Sequence, residues 1–204
     1  MVPAPCKNCH RTTQIEVRES INVALDPSLK ARVKDGSLFV WECPYCGQRN
    51  LAVYQTLYHD PEAKLMVWLL PGGGDPPAQV ADAVKELDGY TLRLVREVGE
   101  LVEKVNIHDA GLDDCVMEMV KWVTRQELSG RNPEAADAAL KFLRLEGADN
   151  ELVLAFPLNG QMQVVNIGFN VYEDARGILS RNPAVRPAEG FARVDKDWIE
   201  QYFR

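Results

Sequence analysis

The sequence predicts an α+β protein in three parts: an N-terminal antiparallel β region, central helices, and a C-terminal α+β segment with a β-hairpin. This order follows from the apolar residues, which alternate with period two at first and later recur with a period near 3.6. A glycine- and proline-rich break at residues 72–77 separates the two patterns. We therefore expect a β region at 1–71, a linker at 72–77, and a helical and α+β region at 78–204.

Two Cys-x-x-Cys pairs lie in the β region. They are Cys6/Cys9 and Cys43/Cys46, and Gly47 follows the second pair. Each such turn can direct two sulfur atoms to one cation, and two turns complete the tetrahedral Cys₄ shell that zinc favours. The position after a knuckle cysteine often needs a positive φ, which glycine adopts at little steric cost. The sequence therefore predicts a structural zinc site with these four cysteines as ligands.

Iron is the alternative metal, because a Cys-Pro-x-Cys-Gly turn also suits a tetrahedral iron site with four sulfur ligands. A catalytic zinc keeps a water ligand, so a closed Cys₄ shell argues against hydrolysis at this site. One Cys-x-x-Cys pair could instead be a redox dithiol, but this is the weaker alternative, because two such pairs at ribbon spacing are better explained as ligands of one metal ion. Cys115, the fifth cysteine, lies in a helical pattern, where we expect a buried, inert thiol.

Short strands and one helix are predicted around the cysteine pairs. The predicted strands cover residues 12–17, 21–25, 38–41, 51–54 and 64–70. Asp26 followed by Pro27 predicts the start of a short helix that ends near Gly36. A turn at 58–62 is expected to join the last two strands. A small antiparallel sheet with two metal knuckles is a zinc ribbon, here elaborated by an insertion of 33 residues between the pairs.

The second half of the chain predicts helices and then a hairpin. Helices are predicted at 92–105, at 116–123 with Asp113-Asp114 as cap, at 132–143, at 172–179 and at 195–202. Asn159-Gly160 lies between the apolar runs 152–156 and 162–167. Such a pair between two apolar runs is a strong hairpin signal, because both residues tolerate positive φ.

With these segments in view, residues 6–123 resemble the bacterial CpXC family, named for its Cys-Pro-x-Cys motif. The resemblance is carried by both cysteine pairs and by Asn22-Val23 with Asp26-Pro27, Leu57-Tyr58-His59-Asp60-Pro61, Glu103-Lys104-Val105, and Gly111-Leu112-Asp113-Asp114. It implies a zinc-binding bacterial protein of a family without an established biochemical function. It supplies no catalytic residues.

Charge and hydropathy limit the partners. The formal charge of −7 is uneven, because residues 1–74 carry +1 and residues 75–204 carry −8. The acidic part argues against binding nucleic acid, which requires cationic neutralisation of phosphates. We find no signal-peptide pattern near Met1 and no apolar run of bilayer length, so we expect a cytoplasmic protein without membrane association. The cytoplasm is a reducing compartment, which is consistent with cysteines that bind a metal rather than form disulfides.

Two functional hypotheses follow. The first is a binding or scaffold protein in which aromatic residues such as Trp41, Tyr45 and Tyr54 contact a protein partner or, as a weaker alternative, a single-stranded nucleic acid. The second is an enzyme that uses His59 or His108 as acid or base in a cleft between the ribbon and the helical region. Neither histidine accompanies a recognisable nucleophile motif, which favours binding over catalysis. Exposed sheet edges near the ribbon make a homodimer a reasonable expectation.

Overall fold

The computed structural model describes residues 1–77, 80, 84 and 87–203, and the fold is α+β, as predicted. The chain forms two compact units, Met1–Val102 and Glu103–Arg204. Residues 72–77 form neither helix nor strand. The predicted start of the second region at residue 78 lies outside the described residues, and the predicted domain limits stay a prediction. In the described part of the chain, no helix is both long and apolar enough to cross a bilayer.

The first unit combines two small hairpins with a larger sheet. Its strands are β1 (Val2–Pro5), β2 (Thr12–Ile15), β3 (Ser20–Asn22), β4 (Val40–Glu42), β5 (Arg49–Leu51), β6 (Thr56–Asp60), β7 (Leu65–Leu69) and β8 (Thr91–Val95). Antiparallel pairs β1-β2 and β4-β5 form the hairpins, as predicted for this region. The larger sheet has the order β3-β6-β7-β8 and is mixed, because β6-β7 is antiparallel whereas β3-β6 and β7-β8 are parallel. Helix α1 (Ser28–Lys34) buries Leu29 and Val33.

Several predicted elements of this unit need correction. Leu92 and Val95 belong to β8, which pairs in parallel with β7, and not to a helix. Helix α2 begins only after this strand and covers Val98–Asp109. The predicted turn at 58–62 begins too early, since β6 continues to Asp60. Four of the five residues of β8 are buried. Burial and pairing in the sheet therefore decide the structure here, although the spacing of the apolar residues is typical of a helix.

The second unit packs helices on a three-stranded antiparallel sheet. After α2 its elements are α3 (Asp114–Arg131), β9 (Lys141–Glu146), β10 (Glu151–Leu158), β11 (Gln161–Ile167), α4 (Phe169–Arg181) and α5 (Lys196–Glu200). The strand order is β11-β10-β9. Asn159 and Gly160 have φ of 52° and 74°, so the predicted hairpin is confirmed. Leu152, Leu154 and Phe156 of β10 lie in the apolar core.

The helix predicted at 132–143 is wrong. Only Pro133–Ala135 form a single 3₁₀ turn, and the chain then enters β9. The Asn132 side chain accepts a hydrogen bond from the N–H of Glu134, which accounts for the start signal read in the sequence. Beyond that turn, pairing with β10 and burial of Phe142 favour the strand.

Charged side chains are buried inside the second unit. Lys121 Nζ lies 2.7 Å from Glu118 Oε1 and 2.9 Å from Glu103 Oε1. Lys104 Nζ lies 2.8 Å from Asp114 Oδ2. We call Glu103, Lys104, Asp114, Glu118 and Lys121 the buried ion network. Burial raises the pKa of Glu118, although Lys121 and Lys104 oppose that shift. Burial also raises the pKa of Glu103, but its lysine neighbours outweigh it and the pKa is lowered.

Candidate metal centre

The turns of the two hairpins bring the four predicted cysteines together. Cys6 Sγ lies 3.7 Å from Cys46 Sγ, and Cys9 Sγ lies 3.6 Å from Cys43 Sγ. All four sulfur atoms lie within 4.8 Å of one another. None of the four forms a disulfide. The cysteines therefore form a cluster that could hold a metal ion.

Both turns have the same backbone hydrogen bonds. In each, the N–H of the first cysteine donates to the carbonyl five residues later, Arg11 at 3.0 Å and Gln48 at 2.9 Å. The residue after each second cysteine, His10 or Gly47, donates its N–H to the first cysteine's carbonyl. Their φ values are 57° and 70°, so the positive φ expected at Gly47 is confirmed. His10 adopts the same conformation although it has a β-carbon, which its sequence position alone does not predict.

Two asparagines outside the cluster donate hydrogen bonds to its sulfur atoms. The backbone N–H of Asn8 lies 3.4 Å from Cys6 Sγ, and its side-chain amide lies 3.7 Å from Cys46 Sγ. Asn50 is buried, places Nδ2 at 3.6 Å from Cys6 Sγ, and accepts a hydrogen bond from the N–H of Lys7. Asn50 thus links the two hairpins and orients a sulfur atom. Asn50 could not be predicted as a contact of the cluster, because nothing in its local sequence separates it from any other asparagine and it precedes the strand predicted at 51–54.

The hydrogen bonds to sulfur affect the thiols unequally. The backbone N–H groups of Cys9 and Asn8 help to lower the pKa of Cys6 to about 6. The backbone N–H of Arg11 also lowers the pKa of Cys9, but burial and the neighbouring thiols outweigh it and raise that pKa to about 11. A hydrogen bond donated to sulfur favours the thiolate, which is the form that binds metal.

The geometry fits a four-coordinate ion. A tetrahedron with metal–sulfur bonds of about 2.3 Å has sulfur–sulfur edges of about 3.8 Å. Two sulfur–sulfur distances in the cluster, 3.6 and 3.7 Å, are close to that edge, and all of them are within 4.8 Å. Four thiolates complete the shell, so a metal held here would have no open position for a water ligand. Zinc and iron both accept this arrangement.

The other candidate residues lie elsewhere. His59 is on β6 with Nε2 3.2 Å from Tyr90 Oη, and burial lowers its pKa although Asp60 opposes the shift. His108 is in the last turn of α2, in the other unit.

The acidic pair at the start of α3 has structural roles. The carboxylate of Asp113 caps the helix, as predicted, by accepting hydrogen bonds from the N–H groups of Cys115 and Val116. Asp114 instead belongs to the buried ion network. Cys115 is half-buried, where a buried thiol had been expected. These contacts account for the positions of both carboxylates.

The aromatic residues named as contacts differ in exposure. Tyr45, at the tip of the second turn, is 54% exposed, and Arg11 Cζ lies 5.1 Å from its ring centroid. Trp41 and Tyr54 are half-buried. Tyr54 packs against Phe39 with ring centroids 5.7 Å apart. Tyr45 is therefore the most accessible of the three.

Two hairpins whose turns gather four thiols define a ribbon-type protein with a Cys₄ centre able to hold a metal. The family model described as CpXC protein matches residues 4–121, which is more than half of the chain. The chain belongs to this family. The matched stretch contains the four clustered cysteines and Cys115. No curated protein and no solved structure matches the chain significantly.

Proposed function

We propose that the protein binds one structural zinc ion through Cys6, Cys9, Cys43 and Cys46, and that this ion fixes a β region that serves as a protein-interaction module or scaffold. The observation that supports it is the meeting of four sulfur atoms within 4.8 Å on two separate hairpin turns. An ion at this position would tie the hairpins together, and structural zinc adds folding free energy in this way.

Zinc is proposed over iron because a closed shell of four thiolates suits an ion with a purely structural role. The two metals are distinguishable, since a ferric ion with four thiolate ligands absorbs visible light and zinc does not. A reducing compartment, which we take to be the cytoplasm, would keep the thiols available to the metal.

The interaction role is proposed over catalysis because the closed shell offers no coordination position to a substrate. The exposed ring of Tyr45 and the nearby guanidinium of Arg11 provide an accessible contact beside the cluster. A protein interface of this kind should depend weakly on salt, whereas nucleic-acid binding weakens steeply as salt rises. We also propose that a homodimer through a sheet edge is feasible, which light scattering of the purified chain would test.

Removing one ligand tests the metal proposal. We expect Cys43→Ser to abolish stoichiometric metal, measured by mass spectrometry of the purified protein, and to lower the thermal stability of the first unit. Cys115→Ser is the matched control, because Cys115 lies outside the cluster and should leave the metal content unchanged. Unchanged metal content and stability in Cys43→Ser would contradict the proposal.

A further inference from the structure

A groove runs along two strand edges in the first unit. Its volume is about 390 Å³, and its lining includes residues 13–16, at and just after β2, and all of β4. The face of a strand would contribute every second residue, because side chains alternate between the two faces. The lining residues are instead consecutive on both sides. The groove therefore follows the edges of β2 and β4 that do not pair with β1 or β5.

The hydrogen-bond ladder of the first hairpin determines which backbone groups of β2 face the groove. In an antiparallel pair, hydrogen-bonded and non-hydrogen-bonded residue pairs alternate. The Cys6 N–H donates to the Arg11 carbonyl, and Gln14 is opposite Pro3 three pairs further along. Gln14 therefore belongs to a non-hydrogen-bonded pair and directs its N–H and C=O away from β1. Pro3 fits this register, because it has no N–H to donate.

The second hairpin presents its edge in the same way. The Cys43 N–H donates to the Gln48 carbonyl, so the next pair, Glu42 with Arg49, is non-hydrogen-bonded. Glu42 therefore directs its backbone N–H and C=O outward from β4. Both Gln14 and Glu42 line the groove. Main-chain donors and acceptors are thus available on both sides of it.

The outer edge of the first hairpin contrasts with this arrangement. Pro3 and Pro5 lie on β1, where their missing N–H groups prevent a further strand from pairing. Proteins commonly protect strand edges in this manner against unwanted pairing. The edge of β2, by comparison, contains no proline and no charged residue. Of the two edges of the first hairpin, the one that faces the groove is therefore the one open to another strand.

The side chains of the groove indicate the chemistry of an occupant. Trp41 and Tyr54 supply aromatic surface to its lining. Arg18 and Arg32 supply two cations, and Glu16 and Glu42 supply two carboxylates, of which Glu16 already lies 3.4 Å from Arg18. Among the residues that the structure describes, Arg32 has no carboxylate within ion-pair distance, and it interacts with the Asp35 carboxylate only from farther away. A carboxylate on the occupant would complement Arg32.

We propose that this groove binds an extended peptide segment of a protein partner, as a strand between β2 and β4, with an acidic side chain directed to Arg32. Main-chain hydrogen bonds to the two edges supply affinity, and the aromatic and basic side chains supply specificity. This inference deepens the interaction role proposed above and rests on it, because the metal would hold in place the hairpins that carry the two edges.

A random peptide library displayed on phage provides the probe. The library is selected on the metal-loaded full chain, and enriched peptides are synthesised and titrated by calorimetry. We expect the enriched peptides to contain Asp or Glu. Gln14→Pro should weaken their binding about tenfold or more, since it removes one main-chain donor. Gln14→Ala is the matched control, because it keeps the backbone N–H and should bind as the unmodified chain does.

The charge contact is tested separately. Arg32→Ala should weaken binding of an acidic peptide about tenfold and leave its Asn- or Gln-substituted counterpart unaffected. Arg49→Ala, which removes the same charge from an exposed site outside the groove lining, should change neither. A peptide methylated on alternate backbone nitrogens should bind at least about tenfold more weakly if it pairs as a strand.

Three results would overturn the inference. The first is that no peptide is enriched, and the second is that the enriched peptides bind Gln14→Pro and Arg32→Ala as tightly as the unmodified chain. The third is binding of oligothymidylate that falls with salt and with Arg32→Ala but not with Gln14→Pro, which would identify a nucleic-acid site instead. Metal content is measured in every variant. If the unmodified protein contains one metal ion but binds no peptide, the peptide-binding inference alone is refuted. If the unmodified protein contains no metal, the structural-zinc proposal is refuted.

Discussion

The two units contain different kinds of polar cluster. In the first unit, four sulfur atoms meet at the ends of two hairpins whose strands are three or four residues long. Isolated two-stranded hairpins are marginally stable in water, so these depend on whatever joins their turns. In the second unit, the buried ion network contains charges of both signs, supplied by the chain itself.

These two clusters are stabilised in different ways. A set of thiolates repels itself until a cation binds, so its stabilising effect comes from outside the chain. The carboxylates of the ion network are instead paired with cations of the same chain, including Lys141 at 3.4 Å from Glu103 Oε2. Removing one partner therefore leaves a buried charge unpaired, which is destabilising. The first unit should therefore respond to metal removal, and the second to substitution of a single charged residue.

The largest effect should follow from removing the metal. We expect a zinc chelator to destabilise the first unit by several kcal/mol, since structural zinc sites contribute apparent binding free energies of about 10–16 kcal/mol in small peptides. Hydrogen exchange would measure this, with faster exchange of the N–H groups in both cysteine turns. Amides of α3 serve as the internal control and should keep their protection. If the amides of both units lose protection equally, the metal does not stabilise the first unit independently of the second.

The next effect belongs to the second unit. We expect Lys121→Met to cost about 3–5 kcal/mol of unfolding free energy, because it leaves the Glu103 and Glu118 carboxylates buried without their shared cation. Arg131→Met is the control on the same helix, since Arg131 pairs with Glu127 at the surface and should contribute less than about 1 kcal/mol. Urea unfolding measures both. A small cost at Lys121, with metal content unchanged, would mean that the network is better solvated than its burial indicates.

Local chemistry predicted those parts of the molecule in which a few adjacent residues determine the backbone. The cysteine spacing, the Asn159-Gly160 turn and the Asp113 helix cap were all read correctly from the sequence. In each case a side chain or a tolerated φ decides the conformation within four or five residues. The same reasoning led to the cluster of four thiols, although its halves are 33 residues apart, because both turns carry their own signature.

Elements decided by distant partners could not be predicted in this way. The segments that became β8 and β9 were read as helical, yet pairing with β7 and β10 makes them strands. Asn50 reaches a sulfur atom 44 positions away, and Glu103 accepts a hydrogen bond from the N–H of Phe142, 39 positions away. Such contacts depend on tertiary packing, which a single sequence does not reveal.

The smallest effects compare the two turns with each other. His10 and Gly47 occupy equivalent positions with φ of 57° and 70°. We expect Gly47→Ala to cost about 1 kcal/mol, since a β-carbon is disfavoured at positive φ while its surroundings offer no clash below 3.9 Å. His10→Gly should stabilise by less than about 1 kcal/mol, because relief of strain is partly offset by the greater entropy of the unfolded chain.

Unfolding of the metal-loaded chain measures both substitutions. Gly72→Ala is the control, because Gly72 does not have a positive φ and has open space around it. It should therefore be neutral or slightly stabilising. If Gly47→Ala is also neutral, the positive φ at the end of the knuckle is not costly, and the hydrogen bonds to sulfur rather than the backbone conformation would determine the geometry of the two turns.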